Sequence, residues 1–152
     1  MAVGRSEIRI LYLIEHHETV LSKLINKNDL NFEELYIAKP HVFISNNHPL
    51  ANKEEITIQD LMLYPYLVFE QGKHNSFYFS EEFLSSLEFS KNIMVRDRAT
   101  LFNLLIGLNG FTVCSGIIDT ELNGENIISK PLKSDCSMRI GILTRKNSVI
   151  SR

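Results

Sequence analysis

The stretch Asn92–Ser115, NIMVRDRATLFNLLIGLNGFTVCS, reads as a strand, a helix and a second strand. Asn92 to Val95 is short and mostly apolar, the pattern of a buried strand. Asp97 is a good N-cap for the helix that follows. From Ala99 to Leu108, the leucines at 101, 104, 105 and 108 fall on one helical stripe. Asn109-Gly110 closes that helix, and Gly110 is expected to take the left-handed conformation just past its end. Phe111 to Ser115 is apolar again and reads as the next strand. Such alternation argues for an α/β fold in which helices cover a parallel sheet.

The same alternation extends outward in both directions. Ile8 to Ile14 is apolar and rich in β-branched residues, as in a buried strand. Glu18 to Asn28 is periodic at helical spacing, with Val20, Leu21, Leu24 and Ile25 on one face. Leu35 to Ser45 is expected to be one strand, broken afterwards by Asn46-Asn47-His48-Pro49. Thr57 caps a short helix at Ile58–Met62, and Tyr64-Pro65 ends it. Tyr66 to Phe69 is a further strand. Glu70 to Ser76, EQGKHNS, is the most polar, turn-like stretch in mid-chain and is the expected crossover between two lobes. A helix near Ser80–Leu87, a short helix at Ile118–Leu122, a strand at Ile127-Ile128 and a last strand at Met138–Thr144 complete the reading.

Composition sets the outer limits. A chain of 152 residues, 44% hydrophobic, makes one domain or two small lobes. Sixteen Lys and Arg against eighteen Asp and Glu leave a net charge of −2, which excludes a strongly basic surface that gathers phosphates by itself. Two cysteines, Cys114 and Cys136, make no disulfide scaffold and fit a reducing cytosol. No apolar run reaches membrane-spanning length. The opening MAVGRSEIRILYLIEHHE carries Glu7 and Arg9 in its apolar run and lacks a small-residue cleavage site, so it does not read as a signal peptide. The expected location is the cytoplasm.

Most chemistry-bearing motifs are missing. Ser115-Gly116 follows a strand, but Cys114 precedes it and no nucleophile elbow forms. Gly107-Leu108-Asn109-Gly110 lies at a helix end, where the dipole disfavours phosphate. His16 and His17 are adjacent and diverge on a helix, while His41, His48 and His74 stand apart; no spacing matches a metal site, and no cofactor is expected. Glu33-Glu34, Glu54-Glu55 and Glu81-Glu82 lie next to turns or helix starts, as solvated carboxylates do. The informative feature is Arg96-Asp97-Arg98-Ala99-Thr100, which joins a strand to a helix N-terminus. Backbone N–H groups, Thr100 and two guanidinium groups would converge there on a small anion or carboxylate. The alternative is that Asp97 only caps the helix and the arginines pair with acids or solvent.

Five segments in order resemble one family. His48-Pro49-Leu50-Ala51, followed by Ile56-Thr57-Ile58-Gln59-Asp60-Leu61, is similar to the HPLA segment of LysR-type transcriptional regulators and the short helix after it. Tyr64-Pro65-Tyr66-Leu67-Val68-Phe69 resembles the strand that follows. Val95–Leu101 resembles the next strand and helix entry, Leu104–Cys114 the glycine-containing block after it, and Met138–Lys146 the late strand with its basic end. The match spans residues 35–146.

The resemblance implies the effector-binding domain of such a regulator, truncated at both ends. Its fold is a two-lobed type 2 periplasmic-binding-protein-like α/β architecture with an incomplete first lobe. Lobe one is expected at 1–71 and 135–152 and lobe two at 72–134, with no helix-turn-helix DNA-binding domain in this chain. The implied function is non-enzymatic: a small, anionic metabolite between the lobes controls DNA binding by a domain outside the chain. Carried onto this sequence, the ligand residues are Ile14 and Glu15 after the first strand, Val68, Phe69 and Glu70 at the next strand end, and Arg96, Arg98 and Thr100 at the helix entry. For Val68 and Phe69, plain core is the competing role. A homodimer is expected, because an incomplete lobe leaves a sheet edge and apolar surface for a second chain to cover. A stand-alone solute-binding module, or a regulator fragment without ligand, would share the fold; an enzyme on it would need a nucleophile or an acid–base pair.

Overall fold

A computed structural model describes residues 8–14, 18–70 and 89–146. Its elements are β1 (Ile8–Ile14), α1 (Glu18–Lys27), β2 (Leu30–Ala38), β3 (His41–Ser45), α2 (Ile58–Leu61), β4 (Tyr66–Phe69), β5 (Asn92–Val95), α3 (Arg98–Gly107), β6 (Thr112–Cys114), α4 (Thr120–Asn123), β7 (Ile127–Pro131) and β8 (Met138–Arg145). Glu15 and the expected helix near Ser80–Leu87 lie outside the described residues, as does all of the Glu70–Ser76 crossover beyond Glu70. No helix among the described residues is long and apolar enough to cross a membrane.

The first sheet has the order β1-β8-β2, with β8 antiparallel to both neighbours. Side chains alternate across it as the pleat requires. Leu11, Leu13 and Leu143 meet Leu21 and Ile25 of α1 in one core cluster. Ile14, Met138 and Ile140 fall on the opposite face with Ala38, and Tyr12 packs against them. Arg139 reaches back to the α1 side, where it pairs with both Glu18 and Glu34. Gly141 in mid-β8 lets β2 approach closely: a side chain there would strike the Glu33 carbonyl oxygen and the Phe32 ring.

The remaining strands form a second group. β3 pairs antiparallel with β6 and β7, and β4 pairs parallel with β5. Bridges from Tyr66 to Phe111 and from Ile56 to Leu132 join these pieces. The core beneath them is aromatic: Tyr66 stacks on Phe111 at 5.0 Å, and Phe89 meets Phe111 edge-on at 5.4 Å. A second cluster, of Phe43, Leu67, Val95, Leu101, Leu105 and Ile127, seats α3 on the strands.

Several local expectations change. Leu35–Ser45 is not one strand: β2 ends at Ala38 and β3 starts at His41, because Pro40 brings no N–H to a ladder. Parallel pairing holds for β4 and β5 but not for the first sheet, where β8 runs antiparallel between β1 and β2, nor for β3, which is antiparallel to β6 and β7. Asn109, not Gly110, takes the left-handed conformation after α3, with φ of 49°. Gly110 serves close approach instead, since a side chain there would strike Leu67 and crowd the Pro65 carbonyl oxygen.

The expected division, 1–71 with 135–152 against 72–134, groups β3, α2 and β4 with the first sheet. Their partners lie elsewhere: β3 bonds to β6 and β7, β4 bonds to β5, and Leu61 of α2 is buried in the cluster that holds Phe111 and Leu132. The chain passes between the two groups at residues 39–40 and 132–137. These passages touch, as the Leu132 N–H donates to the Pro40 carbonyl oxygen at 3.0 Å.

Candidate functional site

Three parallel strand ends meet at one place. β4 runs into Phe69 and Glu70, β5 into Arg96, and β6 into Cys114 and Ser115. The Glu70 N–H donates to the Val95 carbonyl oxygen at 2.8 Å and continues the parallel ladder. Open α/β sheets hold ligands beyond the carboxyl ends of their strands.

α3 starts at the same place. Its cap, Asp97, accepts hydrogen bonds from the Thr100 N–H and from the Thr100 hydroxyl, each at 2.8 Å. Those bonds, the backbone one foremost, hold the Asp97 carboxyl below its ordinary range. Arg96 forms a two-pronged pair with Glu70 through Nε and Nη2. Arg96 lowers the Glu70 pKa, first by hydrogen bonding and then by charge, and Glu70 raises that of Arg96 for the same reasons. Arg96 is 83% exposed, so the pair orders Glu70 more than it stabilises the fold.

Beyond these strand ends lies a cavity of about 540 Å³. The first sheet contributes Tyr12, Tyr36 and Met138 to its wall. The second group contributes Phe43, Phe69 and Phe102, and the polar groups of Glu70, Arg98, Thr112 and Ser115. A bulge in β2 decides part of this wall. Glu34 lies opposite Gly141 and Tyr36 opposite Ile140, so Leu35 has no partner on β8. In a regular, unbulged strand Glu34 and Tyr36 would share a face; with the bulge, Glu34 reaches Arg139 and Tyr36 turns to the cavity.

The Arg98 guanidinium sits over the Phe102 ring, 5.1 Å from its centre. No carboxylate among the described residues pairs with it. Cys114 also lines the cavity, and burial pushes its thiol up to about 12, against the weaker opposing pulls of a Gly116 backbone hydrogen bond and the Arg98 charge. Gly116, with φ of 85°, lets the chain turn after Ser115 beneath the His41 ring, which any side chain there would strike.

The expected ligand residues therefore separate. Phe69, Glu70 and Arg98 line the cavity. Arg96 is engaged with Glu70, and the Thr100 hydroxyl is engaged with Asp97. Ile14 is buried beside Met138 and Ile140, and Val68 packs on the core around Phe111. Tyr12, Tyr36, Phe102, Thr112 and Ser115 escape the sequence reading. Ser115 had a legible signal, as the polar residue ending an apolar strand; Tyr12 had one in its alternation with Leu11 and Leu13. Tyr36 had none, because a bulge changes its face.

The cavity lies between two α/β groups joined by two adjacent passages, which is the architecture of the type 2 periplasmic-binding-protein-like fold. The family model described as the LysR substrate binding domain matches residues 17–152, and the chain belongs to that family. Among solved structures it is similar to HinK, a LysR family transcriptional regulator from Pseudomonas aeruginosa, at 16% identity and a TM-score of 0.65, over 99% of this chain and 49% of that one. It is similar to the effector binding domain of QuiR in complex with shikimate, at 20% identity and a TM-score of 0.65, over 98% of this chain and 66% of that one. It is also similar to the reduced form of the OxyR regulatory domain from Pseudomonas aeruginosa, at 18% identity and a TM-score of 0.63, over 96% and 67%. The chain thus spans from about half to two-thirds of the length of these structures. No curated protein sequence matches it.

Proposed function

We propose that this chain is the effector-sensing part of a LysR-type transcriptional regulator, non-enzymatic and cytoplasmic. It binds a small anionic metabolite between two lobes, residues 8–14, 18–38 and 138–145 on one side and 41–70 and 89–131 on the other. The observation that carries this reading is the cavity of about 540 Å³ whose wall holds Arg98, a cation without a carboxylate partner among the described residues. Family membership and the shikimate held by the similar QuiR domain support it.

The mechanism is a population shift. A ligand that touches Tyr12 and Tyr36 from one lobe and Arg98 from the other makes more contacts when the lobes are close. It therefore favours the closed arrangement by its difference in affinity for the two states. A homodimer would pass that bias to a helix-turn-helix domain outside this chain, which alone would contact DNA.

Thermal denaturation with a set of small carboxylates, shikimate included, tests the reading. At least one should raise the melting temperature, and Arg98→Ala should remove the rise. A rise that survives Arg98→Ala rejects the site.

A further inference from the structure

Resting on that reading, the cavity wall also narrows the ligand class: we infer that the effector is a planar, apolar monoanion, one carboxylate on an aromatic or equally flat hydrocarbon body. The first observation is the wall itself. Among the described residues five aromatic rings line it, those of Tyr12, Tyr36, Phe43, Phe69 and Phe102, and they come from both sides of the cleft. Rings prefer offset or edge-on contact with other rings, so a flat body gains from them on both faces. Thr112 and Ser115 are the aliphatic hydroxyls in the wall, few partners for a polyhydroxylated ligand. Each ligand hydroxyl buried without a partner would weaken binding.

The second observation is the charge count. Among the described residues, Arg98 is the cation of the lining and Glu70 its carboxylate, and Glu70 is already engaged by Arg96. The three groups together carry one positive charge, so one ligand carboxylate neutralises them. A second carboxylate would face Glu70 with no further cation among the described residues of the wall. Cys114, its thiol held protonated at neutral pH, adds no charge. The Arg98 guanidinium is supported from one face by Phe102, an arrangement that leaves its planar fork suited to a carboxylate edge.

Isothermal titration calorimetry of the 152-residue protein tests this with benzoate, 2-naphthoate, benzamide, phthalate and shikimate. Benzoate and 2-naphthoate should bind. Neutral benzamide should bind roughly tenfold or more weakly than benzoate, the loss expected for one charge-assisted contact. Phthalate, with two carboxylates, and shikimate, with three hydroxyls, should also bind more weakly. Arg98→Gln should bring benzoate down to the benzamide level, with Arg98→Lys recovering part of the loss and both variants melting like the parent. Tighter, Arg98-dependent binding of shikimate or phthalate overturns the ligand class while leaving the anion site standing. Equal binding of benzoate and benzamide overturns the charge argument. Binding by none of the five overturns the class and the sensing role together.

Discussion

The imidazole of His48 joins two distant parts of the chain: its Nε2 lies 3.0 Å from the carbonyl oxygen of Asn109, 61 residues away. Its Nδ1 accepts from the Leu50 N–H at 3.0 Å, so Nδ1 is unprotonated and Nε2 carries the donated hydrogen. The ring is 3% exposed and packs against Tyr64. Both nitrogens are committed, and a second proton would have to displace the Leu50 hydrogen bond.

Acid should therefore weaken the fold through this residue. Burial lowers the His48 pKa below its ordinary 6.5. Above 6.5 neither state binds the proton and the contribution is whole. As pH falls through 6.5 toward the lower folded value, the unfolded chain takes up a proton the folded chain refuses, and stability is lost. Urea denaturation at pH 7.5 and 5.5 should show this loss, and His48→Ala should reduce it. At pH 7.5 that variant should cost about 1–3 kcal/mol, because Leu50 N–H and the Asn109 carbonyl lose their partner.

The β2 register should tolerate both replacement and loss of the residue that makes the bulge. Leu35 is 51% exposed, so Leu35→Ser should change stability by no more than about 0.5 kcal/mol. Deleting Leu35 makes Glu34 and Tyr36 neighbours in strict alternation, still opposite Gly141 and Ile140, and so keeps Phe32 and Tyr36 on their present faces. Its cost should therefore be small, about 1 kcal/mol or less by urea denaturation. A loss well above about 1 kcal/mol on deletion would show that the sheet depends on the bulge itself and not only on the register it sets.

Cys114 should be a slow thiol. With a pKa of about 12, only about one molecule in ten thousand is thiolate at pH 8. In a Cys136→Ser background, iodoacetamide should modify Cys114 far more slowly than a free cysteine, and the rate should keep rising beyond pH 10. A ligand filling the cavity should slow it further, which mass spectrometry can follow.

Gly141→Ala should strain the centre of the first sheet. The added methyl group meets the Glu33 carbonyl oxygen, which the β2–β8 ladder holds in place, and the Phe32 ring. Overpacking of this kind costs about 1–3 kcal/mol. Gly107→Ala, with open space around the added group and a helical backbone, should leave stability unchanged or raise it slightly. Chemical denaturation of the pair separates steric strain from a general effect of replacing glycine.

Much of the second group was legible because its signals are local. Asn92–Val95 is a strand, and the helix entry at Asp97 is capped as its residue type requires. Thr57 and Asp60 close a capping box at α2. The leucine stripe on α3 was legible only in part: Leu101 and Leu105 are buried, but Leu108, past the last turn, is 47% exposed. That Glu70 and Arg98 would face open space was legible because polar residues at strand ends mark where open sheets leave room. Arg96 and Thr100 have the same residue chemistry, and only their partners, Glu70 and Asp97, show where their hydrogen bonds go.

Residue order alone determined the α/β class, most element positions and the cationic turn at 96–100, since caps, periodicity and helix ends depend on neighbours within a few residues. Tertiary structure decided how the strands group, which face Tyr36 takes and which arginine is left for a ligand. Those outcomes depend on pairings such as Tyr36 with Ile140 and Glu70 with Arg96, which join residues 104 and 26 positions apart and have no trace in local pattern.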